Sequence, residues 1–166
     1  MPQLPAIVVA AGLSRRMGTP KALLPWTDGR PVIVNIVQSL LDGGAAPVTV
    51  VLGHEAERVR TVLSAAFTAD SQLNLIVNPR YTTGEMLSSV QAAASRIPDD
   101  CGAFIVALGD QPGISPRTIK RLINAWVNAP TTVRIVAPEY AGKRGHPLVI
   151  SSSLVAELLA PDPDRH

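Results

Sequence analysis

The sequence contains a single cysteine, Cys101, among its 166 residues. One thiol cannot form an internal disulfide or a multi-cysteine metal site, so a disulfide-stapled secreted fold is excluded and a reducing cytoplasm is expected. No apolar run approaches the ~18 residues needed to span a bilayer. Residues 1–5 carry no cationic stretch ahead of an apolar segment, as a secretory signal would. These absences predict a soluble cytoplasmic protein that does not act on a membrane.

Charged residues are also few, at 17% of the chain, and 15 basic against 13 acidic residues leave a net charge of +2. Because no run of five like charges occurs, the sequence does not predict a nucleic-acid surface. Apolar residues make up 46% of the chain. A chain of this length buries roughly 68–70% of its unfolded surface and needs no metal or disulfide staple. We therefore expect one globular domain over residues 1–166.

Short apolar runs alternate with stretches of helical spacing along the chain. The runs predict buried strands at Ala6–Ala10, Val48–Leu52, Leu73–Val77, Ala103–Leu108 and Val133–Val136. The spacing predicts helices at Val32–Leu41, Ala56–Phe67, Met86–Ile97 and Pro116–Val127, with Ser115 as the N-cap of the last. This alternation predicts a three-layer α/β fold, in which a mostly parallel sheet has helices on both faces. Ligands bind such sheets at the carboxyl ends of their strands.

The loop after the first predicted strand combines a glycine with three cations. Gly12 lets the backbone approach a ligand closely, and Arg15, Arg16 and Lys21 follow within ten residues. Backbone N–H groups and these cations suit phosphate oxygens, but an ordinary turn with solvated cations has the same residues. Two common phosphate-binding loops are excluded, because two residues separate Gly18 from Lys21 and no Gly-x-Gly is present.

This loop resembles the signature of the molybdenum-cofactor nucleotidyltransferases, the MobA-like and MocA-like proteins. The family pattern, roughly LAAGxSxRMGxxK, is matched by AAGLSRRMGTPK at residues 10–21. Three further segments match in the family's order: NPRYTTGEMLSS at 78–89, LGDQP at 108–112 and RGHP at 144–147. Together they extend over nearly the whole chain, so the resemblance implies the family's Rossmann-like nucleotidyltransferase fold.

The resemblance implies transfer of a nucleoside monophosphate from an NTP to a phosphate acceptor, with release of pyrophosphate. Cations must then align two mutually repelling anions and neutralise the leaving group. The implied catalytic residues are Lys21, Arg16 and Asp110, with Mg²⁺ held by Asp110. The implied nucleotide-binding residues are Ala10, Ala11, Gly12, Leu13, Arg16, Lys21 and Asp110. Because Lys21 and Asp110 would touch one nucleotide, we expect them to lie together.

Molybdopterin, a phosphate-bearing pterin, is the acceptor that the resemblance implies. The implied acceptor contacts are Asn78, Arg80, Gly84, Ser88, Ser89 and His146. Within the family an Ala-Ala-Gly first loop goes with cytidylyl transfer, so residues 10–12 predict CTP as the donor. Structural interpretations stay open for several of these residues: Asp110 as a turn cap, Ser88 and Ser89 as caps of the helix near Met86, and His146 as part of a rigid turn.

The chain departs from the resembled family at its carboxyl end. Family members continue beyond the GHP segment and carry a second metal-binding aspartate. Here the sequence ends at Asp162-Pro163-Asp164-Arg165-His166, with neither aspartate in that context. The prediction is a single nucleotidyltransferase domain lacking that segment. Two alternatives remain: transfer to a sugar or polyol phosphate, or a non-catalytic nucleotide- or pterin-binding protein that hands cofactor to a molybdoenzyme.

Overall fold

The computed structural model describes residues 3–12, 19–98 and 100–160. Within these ranges the strands are β1 (Leu4–Ala10), β2 (Ala45–Leu52), β3 (Leu73–Val77), β4 (Ala103–Leu108), β5 (Ile135–Val136), β6 (Glu139–Tyr140), β7 (Lys143–Arg144) and β8 (Leu148–Ser151). The helices are α1 (Val32–Asp42), α2 (Ala56–Ala66), α3 (Met86–Ala94), α4 (Pro116–Val127) and α5 (Val155–Leu159).

Six of the strands form one sheet in the order β3-β2-β1-β4-β8-β5. β1 pairs in parallel with β2 on one side and with β4 on the other. β8 is antiparallel to both of its neighbours, β4 and β5. The strand order therefore reverses between β1 and β4, and an open α/β sheet binds its ligand in the crevice that forms at such a reversal.

Alternate residues of each central strand face opposite layers, which gives the fold its two cores. Ala6 and Val8 of β1 belong to the larger core, which also contains buried residues of α1, α2 and α4. Ile7 belongs to the smaller core, together with Val90 of α3, and α5 packs against its edge. The predicted three-layer, mostly parallel α/β fold is confirmed.

The predicted elements are present, with differences at their ends. α3 ends at Ala94 rather than at Ile97, and the residues after it form turns in which the Arg96 N–H donates to the Ala93 carbonyl at 2.9 Å and the Ile97 N–H to the Ala94 carbonyl at 3.1 Å. Ser115 caps α4 as predicted, and its hydroxyl accepts a hydrogen bond from the Thr118 N–H at 3.2 Å. β6, β7, β8 and α5 were not predicted. Across the described ranges, every helix is too short or too polar to cross a lipid bilayer.

Candidate active site

A cavity of about 530 Å³ lies at the carboxyl ends of β1 and β4. Its volume is within the range of small-molecule binding sites. The loop after β1, the turn after β4 and the segment leading into α3 form its walls. Seven predicted site residues line it: Ala10, Ala11, Gly12, Lys21, Gly84, Ser89 and Asp110. The position is the one that the strand order selects for a ligand.

Lys21 and Asp110 form an ion pair at this cavity, with 3.7 Å between Lys21 Nζ and Asp110 Oδ2. Asp110 follows the end of β4, and Lys21 opens a short 3₁₀ turn beyond the β1 loop. Both side chains are about half exposed. Ion pairs with this exposure add little to stability. The pair therefore puts two opposite charges at the cavity without making the fold depend on them.

Two glycines allow the β1 loop to pack tightly beneath the cavity. A Cβ atom at Gly53 would lie 2.5 Å from the Ala11 carbonyl oxygen and 2.7 Å from the Tyr81 Cβ. A Cβ atom at Gly109 would lie 2.8 Å from the Ala10 Cβ. Both glycines are buried. Gly109 belongs to the LGDQP segment, whereas Gly53 lies in no matched segment; each directly follows a predicted strand, where a close backbone approach is expected.

Asn78 lies beneath the segment leading into α3 and is 1% exposed. Its Nδ2 donates hydrogen bonds to Ser88 Oγ at 2.8 Å and to Ser89 Oγ at 3.1 Å. Its Oδ1 accepts one from the Arg80 N–H at 2.9 Å. The Ser88 hydroxyl in turn donates to the Glu85 carbonyl at 2.8 Å. This buried network fixes the segment that carries Gly84 to the start of α3.

The predicted acceptor contacts are thus divided by the structure. Among the described residues, Asn78, Arg80 and Ser88 lie outside the lining of the main cavity, whereas Gly84 and Ser89 belong to it. The Arg80 guanidinium instead donates to Gln91 Oε1 at 2.9 Å. Asn78 and Ser88 have their polar atoms engaged in hydrogen bonds inside the protein, and their contact with an acceptor stays a prediction.

A second cavity, of about 310 Å³, begins at Gln111, the residue after Asp110. It lies between the start of α4 and the β6–β7 hairpin, and His146 lines it. Partial burial lowers the pKa of His146 below its usual value, since desolvation disfavours the imidazolium. His146 therefore belongs to a cavity that adjoins the main one, not to the main one itself.

The sequence model of the MobA-like NTP transferase domain family matches residues 6–166. The chain belongs to this family. It is 30% identical over 159 residues to the nicotine blue oxidoreductase of Paenarthrobacter nicotinovorans, covering 93% of this chain and 74% of that protein. It is 32% identical over 148 residues to the bifunctional protein GlmU of Anaeromyxobacter sp. (strain K), covering 89% of this chain but 30% of GlmU.

Solved structures agree with this assignment. Rv0371c from Mycobacterium tuberculosis H37Rv superposes with a TM-score of 0.78 at 29% identity, covering 98% of this chain and 78% of that one. A manganese complex of Rv0371c gives a TM-score of 0.75. A nucleotidyl transferase from Methanothermobacter thermautotroptrophicus gives 0.74 at 25% identity, with 98% of this chain and 78% of that one covered. The MobA-like chain is thus an enzyme of the nucleotidyltransferase class.

The donor atoms of this MobA-like domain suit an open divalent-cation site. Within the described ranges, no three His, Cys, Asp or Glu side chains come together as a metal cage. Mg²⁺ is usually held by one or two carboxylates together with substrate phosphates. The half-exposed Asp110 carboxylate at the cavity fits that pattern. The predicted residues Leu13 and Arg16, and the carboxylates of Asp162 and Asp164, lie outside the described residues.

Replacing Asn78 by alanine tests the buried network of this MobA-like domain. We expect the free energy of unfolding to fall by about 1–3 kcal/mol, because two serine hydroxyls and the Arg80 N–H lose a buried partner. Chemical denaturation measures the change. Asn74→Ala, on the exposed side of β3, is the matched control and should change stability by no more than about 0.5 kcal/mol. Equal losses in the two variants would contradict the role of the network.

The lowered pKa of His146 makes stability depend on pH with a definite sign. The unfolded chain, with a histidine pKa near 6.5, binds this proton more readily than the folded protein. The contribution of neutral His146 to the free energy of unfolding is therefore complete above about pH 6.5. It is lost as the pH falls through the lower pKa that His146 has in the folded protein. We expect the free energy of unfolding to decrease modestly from pH 7.5 to pH 5.5. Denaturation curves of His146→Gln should show a smaller decrease, and an unchanged decrease would contradict the assignment.

Proposed function

We propose that the chain transfers CMP from CTP to the phosphate of molybdopterin and releases pyrophosphate, with Mg²⁺ as the cofactor. The observation that carries the proposal is the ion pair between Lys21 and Asp110, at 3.7 Å, on a cavity of nucleotide-compatible size. The pair stands at the reversal of strand order, and residues far apart in sequence supply it. Membership of the nucleotidyltransferase family supports the same reaction class.

The chain's own residues provide binding, charge and orientation in this reaction. Gly12 lines the cavity, where its backbone N–H serves the phosphates, and the Lys21 ammonium offsets the charge of the triphosphate. Asp110 would hold the Mg²⁺, which when bound neutralises charge that develops on the leaving pyrophosphate. A manganese complex of the similar Rv0371c supports a divalent-cation site. Gly84 and Ser89 line the wall formed by the start of α3.

Two alanines support CTP as the donor. Ala10 and Ala11 line the cavity, and Ala11 is buried against the position of Gly53. In the resembled family an Ala-Ala-Gly first loop goes with cytidylyl transfer, and residues 10–12 have that form. We therefore expect CTP to be used better than GTP. Transfer to a sugar or polyol phosphate is the second candidate, favoured by the 32% identity to the GlmU protein.

Pyrophosphate release tests the proposed reaction directly. The protein is incubated with CTP, GTP, ATP or UTP, each with molybdopterin or a sugar phosphate, in Mg²⁺ or Mn²⁺. We expect release with CTP and molybdopterin, and none after EDTA is added. Faster release with a sugar phosphate would select the second candidate. No release from any pair would show that the chain does not perform this transfer.

A further inference from the structure

Positive charge is concentrated in one part of the chain. Residues 111–147 carry six of the cations and a single carboxylate, Glu139, although the net charge of the whole chain is only +2. Arg134 is paired with Glu157. The other five cations are exposed, and none forms an ion pair within the described ranges. They are Arg117, Lys120, Arg121, Lys143 and Arg144.

These cations lie on α4 and on the β6–β7 hairpin, the two elements that flank the second cavity. Thr118 of α4 and Lys143 of the hairpin both line that cavity, and Arg117 is the neighbour of Thr118. Of the five, Lys143 is the one that lines the cavity, and the other four lie elsewhere on the same two elements; we call the five together the basic rim. Glu139 also lines this cavity and lies opposite Arg144 across the hairpin, but the two elements carry five of these cations against this one carboxylate, which favours an anionic small molecule here.

The wall of the second cavity also presents an aromatic ring. Tyr140 is 87% exposed, the highest value among the exposed large hydrophobic residues. Ile114 and Pro147 add buried apolar surface. An aromatic face that remains in water gains from contact with a second planar ring, by dispersion and by offset stacking. Tyr140 thus offers a stacking surface beside the rim of cations.

The hairpin holds Tyr140 and Lys143 in a fixed relation. The two residues are directly paired across β6 and β7. Ala141 and Gly142 make the turn between them with φ values of 50° and 75°, as two-residue hairpin turns require. The Gly145 N–H donates to the Pro138 carbonyl at 3.0 Å and closes the base of the hairpin. A ring face and an ammonium are therefore presented together before any ligand arrives.

We propose that the second cavity binds the acceptor as a planar ring that carries a phosphate, with the ring on Tyr140 and the anion near Lys143. This assignment rests on the proposed function. Gln111 of this cavity follows Asp110 of the main one, so acceptor and nucleotide meet at that turn. There an acceptor oxygen bonds to the α-phosphorus, and the bond to the bridging oxygen breaks, with its electron pair leaving on pyrophosphate.

Binding of neopterin monophosphate, a fluorescent planar ring with a phosphate, tests this site. Neopterin supplies the ring without phosphate, and ribose 5-phosphate supplies the phosphate without this ring. Fluorescence anisotropy is measured on the full chain with a non-hydrolysable CTP analogue and Mg²⁺ present. We expect Tyr140→Ala to weaken binding about threefold to tenfold and Tyr140→Phe to leave it unchanged. Each of the two fragments should bind more weakly than the whole probe.

Lys143→Ala should weaken binding of neopterin monophosphate severalfold and leave binding of neopterin unchanged. It should also reduce the salt dependence of neopterin monophosphate binding. Arg96→Ala is the matched control, since it removes an exposed cation that does not line the cavity. Affinity for the CTP analogue should be the same in every variant, which shows that each one folds. The proposal is overturned if the wild-type protein does not bind the probe, or if Tyr140→Ala binds it as tightly as wild type.

Two experimental outcomes distinguish failure of this binding site from failure of the proposed reaction. If acceptor-dependent pyrophosphate release is the same in the wild type and in Tyr140→Ala, this binding site is overturned and the proposed reaction stays in place. Probe binding that depends on Tyr140 and Lys143, in a protein that releases no pyrophosphate with any acceptor, supports the site and overturns the reaction.

Discussion

Asp110→Asn is expected to lower kcat/KM for nucleotidyl transfer by about 10²–10³-fold, the range seen when one electrostatic contact to a reacting group is removed. The carboxylate is the described side chain at the cavity that we assign to the divalent cation, and the amide keeps its size without its charge. Stability should change by no more than about 1 kcal/mol, because the ion pair with Lys21 is half exposed. Steady-state pyrophosphate release and chemical denaturation measure the two effects.

Asp70→Asn is the matched control, since it removes an exposed carboxylate that does not line the cavity. Its kcat/KM should equal that of the wild type. Lys21→Ala combined with Asp110→Asn should lose less than the product of the single losses, because the two side chains serve one nucleotide. Full activity in Asp110→Asn, or an equal loss in Asp70→Asn, would show that the ion pair is not part of the reaction centre.

Gly53→Ala is expected to damage both nucleotide binding and stability. The new methyl group would lie 2.5 Å from the Ala11 carbonyl oxygen, so the β1 loop must shift. Overpacking of this kind costs about 1–3 kcal/mol of the free energy of unfolding. Displacement of a binding loop by about 1 Å can lower activity by about 10²-fold. We therefore expect at least a tenfold weaker affinity for the CTP analogue, measured by calorimetry.

Gly102→Ala provides the comparison for Gly53→Ala. No atom lies within 4 Å of a Cβ atom at position 102, and this glycine precedes β4 at the opposite end of the strand from the cavity. The same methyl group should there leave nucleotide affinity and stability nearly unchanged. Wild-type affinity in a folded Gly53→Ala protein would refute the close contact between Gly53 and the β1 loop.

The central strands could be predicted because each is encoded by a short pattern of neighbouring residues in the sequence. β1, β2 and β4 are short apolar runs bounded by turn residues, and parallel strands buried on both faces have that pattern. β8 was missed because four residues directly after a proline carry little periodicity. The two-residue strands of the hairpin carry still less. Their positions are set by pairing with distant segments.

In the candidate site, too, some residues could be predicted from local motifs, and others depend on contacts between distant segments. Lys21 and Asp110 were predicted because each stands in a recognisable motif, and the parallel sheet brings the two motifs to one edge. Gly53 could not be assigned, since its contact with Ala11 depends on how two loops approach each other. The sequence likewise predicted that Asn78 contacts the acceptor. Only the folded structure shows that its side-chain amide donates hydrogen bonds to Ser88 and Ser89.

The main cavity takes its walls from segments that are far apart along the chain, around residues 10, 84 and 110. It therefore exists only when the central sheet is complete, and any compound that occupies it binds the folded protein and not the unfolded one. Such a compound raises the melting temperature by mass action, by the equivalent of about 2.7 kcal/mol when present at about 100 times its Kd. Each of the four nucleoside triphosphates can thus be ranked by thermal shift alone, before any acceptor has been identified.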